Sequence, residues 1–190
     1  MACSRRIIIN DRRTYRRKYQ PEPGFEVRGK TLGVVGSGFA AKETIVAARG
    51  LEMIVYSTER FDGAIRKPLD FLLSDSQLLT LQLPDNEQSK KFFDKEKIKK
   101  VKDGSIMVNL GNREWVEERA MNEALISRKI DTYCFEADSV GKSPLKGNEY
   151  ALMFKPFSVY TKEARERNRE EMVQNIESIA RGIPYSQLEL

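Results

Sequence analysis

The sequence predicts an α/β fold of the doubly wound kind, a mostly parallel sheet with helices on both faces. From Lys30 onward, short apolar runs of strand length alternate with segments of helical length, a pattern that implies parallel strands covered on both sides. A glycine-rich turn joins the first such run to the first such helix. The chain has 190 residues, 40% of them hydrophobic, enough for one sizeable core.

The elements follow in order. Ile7 to Tyr19 suits a short helix, with Ile8, Tyr15 and Tyr19 at helical spacing, stopped by Gln20-Pro21-Glu22-Pro23-Gly24. Thr31 to Val35 reads as a short buried strand, Phe39 to Arg49 as a helix closed by Gly50, and Glu52 to Tyr56 as a second strand. After Arg60 the chain looks compressed, leaving room for a one-turn connecting helix or none. Leu78 to Leu83 is a strand stopped by Pro84, Asp94 to Val101 a helix, and Ser105 to Val108 a strand. Val116 to Arg128 is a helix, and Asp131 to Phe135 and Ala151 to Phe154 are strands. Thr161 opens a long terminal helix, with Glu163 and Glu166 in its first turns and Gly182 past its end. Three regions result: a basic helix and linker over 1–29, a domain over 30–182, and a tail over 183–190.

The net charge of +5 is unevenly placed. Residues 1–30 hold nine Lys/Arg against Asp11, Glu22 and Glu26, so the basicity belongs to an N-terminal arm. Such an arm suits nucleic acid or phosphorylated ligands. No interleaved aromatic platform accompanies it, and a solvated basic helix face is the plainer reading. No signal peptide is legible and no apolar run nears the roughly 18–20 residues that cross a bilayer, so a cytoplasmic chain without membrane contact is expected. Cys3 and Cys134 stand far apart in sequence and in different contexts, so neither a redox nor a metal pair is expected; Cys134 reads as a buried structural thiol. The chain has no histidine, which removes the commonest general acid/base and the commonest metal ligand.

The run Gly33-Val34-Val35-Gly36-Ser37-Gly38-Phe39-Ala40-Ala41 satisfies G-x-G-x-x-G/A between a strand and a helix, the context that the dinucleotide-binding fingerprint of a Rossmann-type domain requires. Gly36 permits the tight turn, Gly38 lets backbone approach a pyrophosphate, and Ala41 is small enough for helix–strand packing. Ser37, Phe39 and Ala40 complete the candidate loop. Where the second strand ends, an acidic residue would bind a ribose 2′-hydroxyl; this chain has Ser57 there. Ser57, Thr58 and Arg60 are candidate donors to a 2′-phosphate, tilting the choice between NAD and NADP toward NADP, while Glu59 is able to turn in toward an unphosphorylated ribose.

Beyond the loop, an ordered set of segments resembles the nucleotide-binding domain of D-isomer-specific 2-hydroxyacid dehydrogenases, from roughly Arg28 to Gly182. The segments are Arg28 to Gly36, Leu69 to Ser76 leading into Leu81-Gln82-Leu83-Pro84, Lys102 to Asn109, and Tyr160 to Ala164. Ser4 to Gln20 is similar to that family's interdomain helix. The resemblance implies that Leu83, Pro84, Leu110, Gly111, Asn112 and Glu136 join the loop in holding a nicotinamide dinucleotide. It also implies hydride transfer with a 2-hydroxy or 2-keto acid, using an Arg that clamps the carboxylate, a His that moves the proton and a Glu that orients the His. At the matching positions stand Asn112, with Arg113 one place on, Pro156 or Phe157, and Ser139. Proton transfer by a positioned side chain is commonly worth about 10²–10⁴ in rate, and Lys155 is a remote substitute for the absent histidine.

The family's substrate domain is not legible either, since only about 30 residues precede the core. Three readings follow from these positions. One is a cofactor-binding module with little or no dehydrogenase activity, partnered as a homodimer or by a chain covering the N-terminal helix. A second is an oxidoreductase whose substrate domain comes from another chain. A third is a regulatory or nucleic-acid-contacting protein using the basic arm.

Overall fold

The computed structural model describes residues 1–18, 20–139, 141–157 and 160–182. They divide into two compact units, one over Met1–Lys155 and one from Pro156 onward. Among the described residues no helix is long and apolar enough to cross a membrane.

The first unit is built on seven strands: β1 (Thr31–Gly36), β2 (Ile54–Ser57), β3 (Ile65–Arg66), β4 (Leu78–Gln82), β5 (Ser105–Asn109), β6 (Ile130–Glu136) and β7 (Ala151–Phe154). They lie in the order β3-β2-β1-β4-β5-β6-β7, with every pairing parallel. The chain starts at the centre, winds out to β3, and returns to place β4 beside β1. The topological switch point therefore falls between β1 and β4, where ligands sit in sheets of this kind.

The helices α1 (Ile7–Tyr15), α2 (Phe39–Gly50), α3 (Leu69–Asp75), α4 (Lys95–Lys100) and α5 (Glu118–Ile126) belong to the same unit. Because side chains alternate across a strand, neighbours on β1 serve opposite cores. Val34 packs with Ala41, Ile45 and Ala48 of α2, whereas Val35 joins Leu72, Leu73, Ile98 and Met121 of α3, α4 and α5. Ile106 and Met107 divide in the same way. The doubly wound expectation is met, and the small Ala41 is fully buried where it was expected to pack.

The stretch after Arg60 departs from expectation. It carries the short edge strand β3 and then α3, a helix of seven residues that buries Leu72 and Leu73 completely. Pro68 opens α3, with Asp70 in its first turn. Two turns are too few to show a helical period in the sequence.

The first helix is also shorter than expected. It ends at Tyr15, Arg17 takes a left-handed conformation at φ 57°, and Tyr19 lies outside the described residues. Its buried residue is Ile9 rather than Tyr15, which is 84% exposed. The side chain of Asn10 explains the chain reversal: it donates to the Glu22 carbonyl and accepts from the Glu22 N–H.

The basic arm is not simply a solvated face. Arg6, 7% exposed, donates to Asp131 at 2.6 Å and Thr132 at 2.8 Å. Arg13 holds Glu149 through two bonds of 3.1 Å and pairs with Glu22 at 3.1 Å. Arg5, Arg16, Arg17 and Lys18 are exposed as expected. Arg6 also brings the N-terminal segment against β6, where Cys3 packs on the cluster of Ile9, Cys134 and Leu152. The two thiols are neighbours on that cluster, and each shifts the titration of the other. Cys134 is buried as expected, and the docked arm brings Cys3 to it across a long stretch of sequence.

The second unit contains α6 (Lys162–Ala180). Its start is as expected: the Thr161 hydroxyl accepts from the Ala164 N–H at 3.0 Å, and Glu163 lies in the first turn. Gly182 follows its end at φ 76°, donating to the Ile179 carbonyl at 2.9 Å. The tail 183–190 lies outside the described residues.

Candidate functional site

The glycine loop sits at the C-terminal end of β1, beside the switch point. In the register, Gly36 is the partner of Gln82 on β4. A Cβ on Gly36 would lie 2.1 Å from the Gln82 carbonyl oxygen, and its φ is 111°, so both contact and conformation require glycine there. The next amide, of Ser37, donates to that same carbonyl at 3.0 Å.

Gly38 is different. Its φ is 95°, but nothing lies within 4 Å of the position a Cβ would take. It precedes α2 without a side-chain cap. The first-turn amides of a helix have no intrahelical acceptor, so this end of α2 presents donors to an open approach. Phe39 is 78% exposed at the first helical position and Ala40 is exposed beside it. The absence of a Cβ at Gly38 leaves the cradle a pyrophosphate needs, and the residues present fit a dinucleotide.

The ends of the neighbouring strands converge on this loop. Thr58 Oγ1 accepts from the Gly36 N–H at 3.0 Å, tying the turn after β2 to the turn after β1. Ser57 is fully buried and its hydroxyl donates to the Glu59 carbonyl at 2.6 Å. Ser57 therefore shapes the turn instead of facing an incoming ligand. Glu59 and Arg60 are exposed, and Arg60 lines a cavity of about 620 Å³ with Lys42, Arg49, Phe61, Asp62 and Arg66 among its walls. Sequence reasoning missed Lys42, Arg49 and Arg66. The helical spacing of Lys42 and Arg49 was a legible signal, but Arg66 depends on the unforeseen β3.

Beyond β4, Leu83 packs on the core and Pro84 is exposed. Beyond β5, the buried Asn109 organises the turn: its Oδ1 accepts from the Gly111 N–H at 3.1 Å, and its Nδ2 donates to the Asn112 carbonyl at 3.0 Å. Gly111 lies against Trp115, whose ring would meet a Cβ at 2.2 Å, so Trp115 anchors the turn by packing. Leu110 is exposed on the turn. Asn112 donates to Asp85 at 2.8 Å, joining the β5 turn to the β4 turn, and its Oδ1 accepts from the Glu114 N–H. Tyr133 lies beneath, its hydroxyl accepting from Asn109 at 3.3 Å, and burial pushes its phenol well above the ordinary range. Glu136 is buried at the end of β6.

Arg113 and Ser139, which stand at or beside two of the positions implied for catalysis, are bonded to each other. Arg113 donates to the Ser139 carbonyl at 2.8 Å and to Glu118 at 2.8 Å, with a second, shorter bond to Glu118. Glu118 also accepts from Ser143 at 2.7 Å. Glu118 is thus a half-buried anchor for the turn after β5. Lys155 is exposed; Pro156 and Phe157 belong to the second unit. Ser158 lies outside the described residues.

Comparison with known proteins agrees with this geometry. The profile of the D-isomer specific 2-hydroxyacid dehydrogenase, NAD binding domain, matches residues 1–158. D-3-phosphoglycerate dehydrogenase of Archaeoglobus fulgidus is 29% identical, covering 97% of this chain and 38% of its own. Glycerate dehydrogenase of Methylorubrum extorquens is 29% identical, covering 90% of this chain and 56% of its own. The chain therefore spans about half the length of these relatives, or less. An acyclic imino acid reductase solved with NADPH and D-arginine superposes with a TM-score of 0.88 at 21% identity, covering 99% of this chain and 64% of that one. That likeness concerns the fold.

Proposed function

Since the chain belongs to the family of D-isomer-specific 2-hydroxyacid dehydrogenase NAD-binding domains, we propose that it holds a nicotinamide dinucleotide across the switch point and transfers little or no hydride by itself. The observation that carries the binding half is Gly38, open on its Cβ side at the start of an uncapped helix. Gly36, Ser37, Gly38, Phe39 and Ala40 would hold the pyrophosphate, Thr58 to Arg60 the adenosine ribose, and Leu83, Pro84, Leu110, Gly111, Asn112 and Glu136 the nicotinamide end. When bound, the nicotinamide accepts or supplies a hydride; the chain's own residues orient it.

The leaning to NADP rests on a basic wall, not on Ser57. Ser57 is turned inward, whereas Arg60, Lys42, Arg49 and Arg66 surround one cavity against the single carboxylate of Asp62. A dianionic 2′-phosphate suits that balance.

Weak catalysis follows from the engagement of the matching residues. Asn112 is bonded to Asp85, Arg113 is held by Glu118 and Ser139, and the chain has no histidine to move a proton. Fluorescence titration with NADH and NADPH tests binding: saturation is expected, tighter for NADPH, and no binding of either at millimolar concentration refutes the reading. Turnover of glyoxylate or hydroxypyruvate by the isolated chain refutes its catalytic half.

A second reading, an oxidoreductase completed by another chain, is favoured by α6. Met172, Val173, Ile176 and Ile179 recur on it at helical spacing, an apolar stripe suited to a partner. On α1, Ile7 and Tyr15 are exposed for a partner or second copy.

A further inference from the structure

We propose that Cys3 and Cys134 are a reversible disulfide site that covalently ties the N-terminal segment to β6. They are the only two cysteines of the chain, 131 positions apart in sequence, yet Cys3 packs on the cluster that holds Cys134. The contact is built by several independent constraints. Arg6, three residues after Cys3, is locked to Asp131 and Thr132, which immediately precede Tyr133 and Cys134 on β6. The Arg6 N–H closes a turn onto the Cys3 carbonyl at 3.0 Å, and the Ser4 carbonyl accepts from the Phe25 N–H at 2.7 Å. Gly24 lies so close that a Cβ there would be 2.4 Å from the Ser4 carbonyl oxygen. Ile9, Cys134 and Leu152 form the apolar floor on which Cys3 rests.

The two thiols have complementary environments. Cys3 is partly exposed, within reach of a small oxidant, whereas Cys134 is buried beneath it. The hydrogen bond from Cys134 lowers the Cys3 thiol to about 7, aided by the positive charges of the Met1 amino group and Arg6 and opposed by burial and Asp131. The same bond, with burial and the nearby Glu136 carboxylate, pushes Cys134 up. A more acidic, partly exposed thiol in front of a less acidic, buried one suits an attacking and a resolving cysteine.

The oxidant is a low-molecular-weight disulfide such as oxidised glutathione. The Cys3 thiolate attacks one sulfur of that disulfide, forming a mixed disulfide and releasing one thiolate. Cys134 then loses its proton, attacks Cys3 Sγ and expels the second thiolate. Both protein thiols are oxidised, the small disulfide is reduced to two thiols, and an excess of dithiol reverses the sequence. In a reducing compartment such a bond forms transiently, as regulatory disulfides do.

The test is intact-mass and non-reducing peptide analysis after incubation with oxidised glutathione. The expected product has lost two hydrogens, carries no glutathione, links the Cys3 and Cys134 peptides, and reverts with dithiothreitol. In Cys134→Ser the resolving step is missing, so Cys3 keeps one glutathione. A persistent adduct on wild-type Cys3, a dimer bridged through Cys3, or two unreacted thiols each overturns the proposal. The wild-type measurement decides even if the variant fails to fold, and it is independent of cofactor binding.

Discussion

The Arg113 guanidinium donates to the backbone carbonyl of Ser139 at 2.8 Å while its other edge grips the Glu118 carboxylate. The turn after β5 is thereby fastened to the turn after β6. The family pattern places a carboxylate-clamping Arg one position earlier and a His-orienting Glu where Ser139 stands. In this chain the pair forms a strut between loops, and Arg113 holds the protein's own carboxylate.

Removing that strut should cost stability. Arg113→Ala leaves the Glu118 side chain, 18% exposed, without its charged partner, and the expected loss is about 1–3 kcal/mol. Arg113→Lys retains the charge but cannot bridge both acceptors with a planar fork, so it should fall between the two. Urea denaturation midpoints check this; an unchanged midpoint for Arg113→Ala means the strut is not structural.

The two loop glycines should separate folding from binding. Gly36→Ala forces a Cβ into the Gln82 carbonyl at a φ of 111°, and a loss of at least about 1–3 kcal/mol is expected from the backbone conformation alone. Gly38→Ala meets no atom of the protein, so its cost should be the conformational one only, about 1–3 kcal/mol. Its new methyl stands where the pyrophosphate approaches, and NADH affinity should fall by about tenfold, or about 1.4 kcal/mol. Equal affinity of Gly38→Ala and wild type for NADH would place the cofactor elsewhere.

The glycine turn was legible because its requirements are local: Gly36, Gly38 and Ala41 each answer to a neighbour within one strand–turn–helix unit. Ser57 misled because its hydroxyl, read as a ligand donor, is satisfied by the Glu59 carbonyl two residues on. The partners of Arg6, Arg113 and Cys3 lie in sequence-distant parts of the chain or depend on loop geometry, so residue types alone could not foretell them. The helix α3 escaped notice because Leu72 and Leu73 are adjacent, buried on the same core, and offer no repeat to read.

The ion pairs should divide sharply by burial. Arg6 and Asp131 have side chains 8% and 11% exposed, and breaking such a pair from one side commonly costs about 3–5 kcal/mol. Arg6→Ala is expected near the lower end, since Arg128 still reaches Asp131. Arg28 and Glu52 also pair, but both are largely exposed, and Arg28→Ala should change stability by no more than about 1 kcal/mol. Thermal or urea unfolding of both variants tests the contrast; similar effects would mean that the buried pair does not anchor the arm.

The docking of α1 should weaken in acid through Glu149. The two-pronged hydrogen bond from Arg13 holds the Glu149 carboxyl below its ordinary value of 4.5, against the opposing effect of burial, with further help from the charges of Arg13, Lys18 and Arg16. Its folded-state pKa is depressed, so the folded state binds this proton less readily than the unfolded chain. The resulting stabilisation is fully present above 4.5 and disappears as pH falls through the lower folded value. Asp94, held low chiefly by the Lys97 backbone N–H, contributes in the same direction and is unaffected by a change at Glu149. Glu149→Gln should therefore lower stability near neutral pH and reduce, without abolishing, the loss seen on acidification. Urea midpoints of both proteins across the acid range decide it: parallel curves would show that the Arg13–Glu149 contact adds nothing in solution.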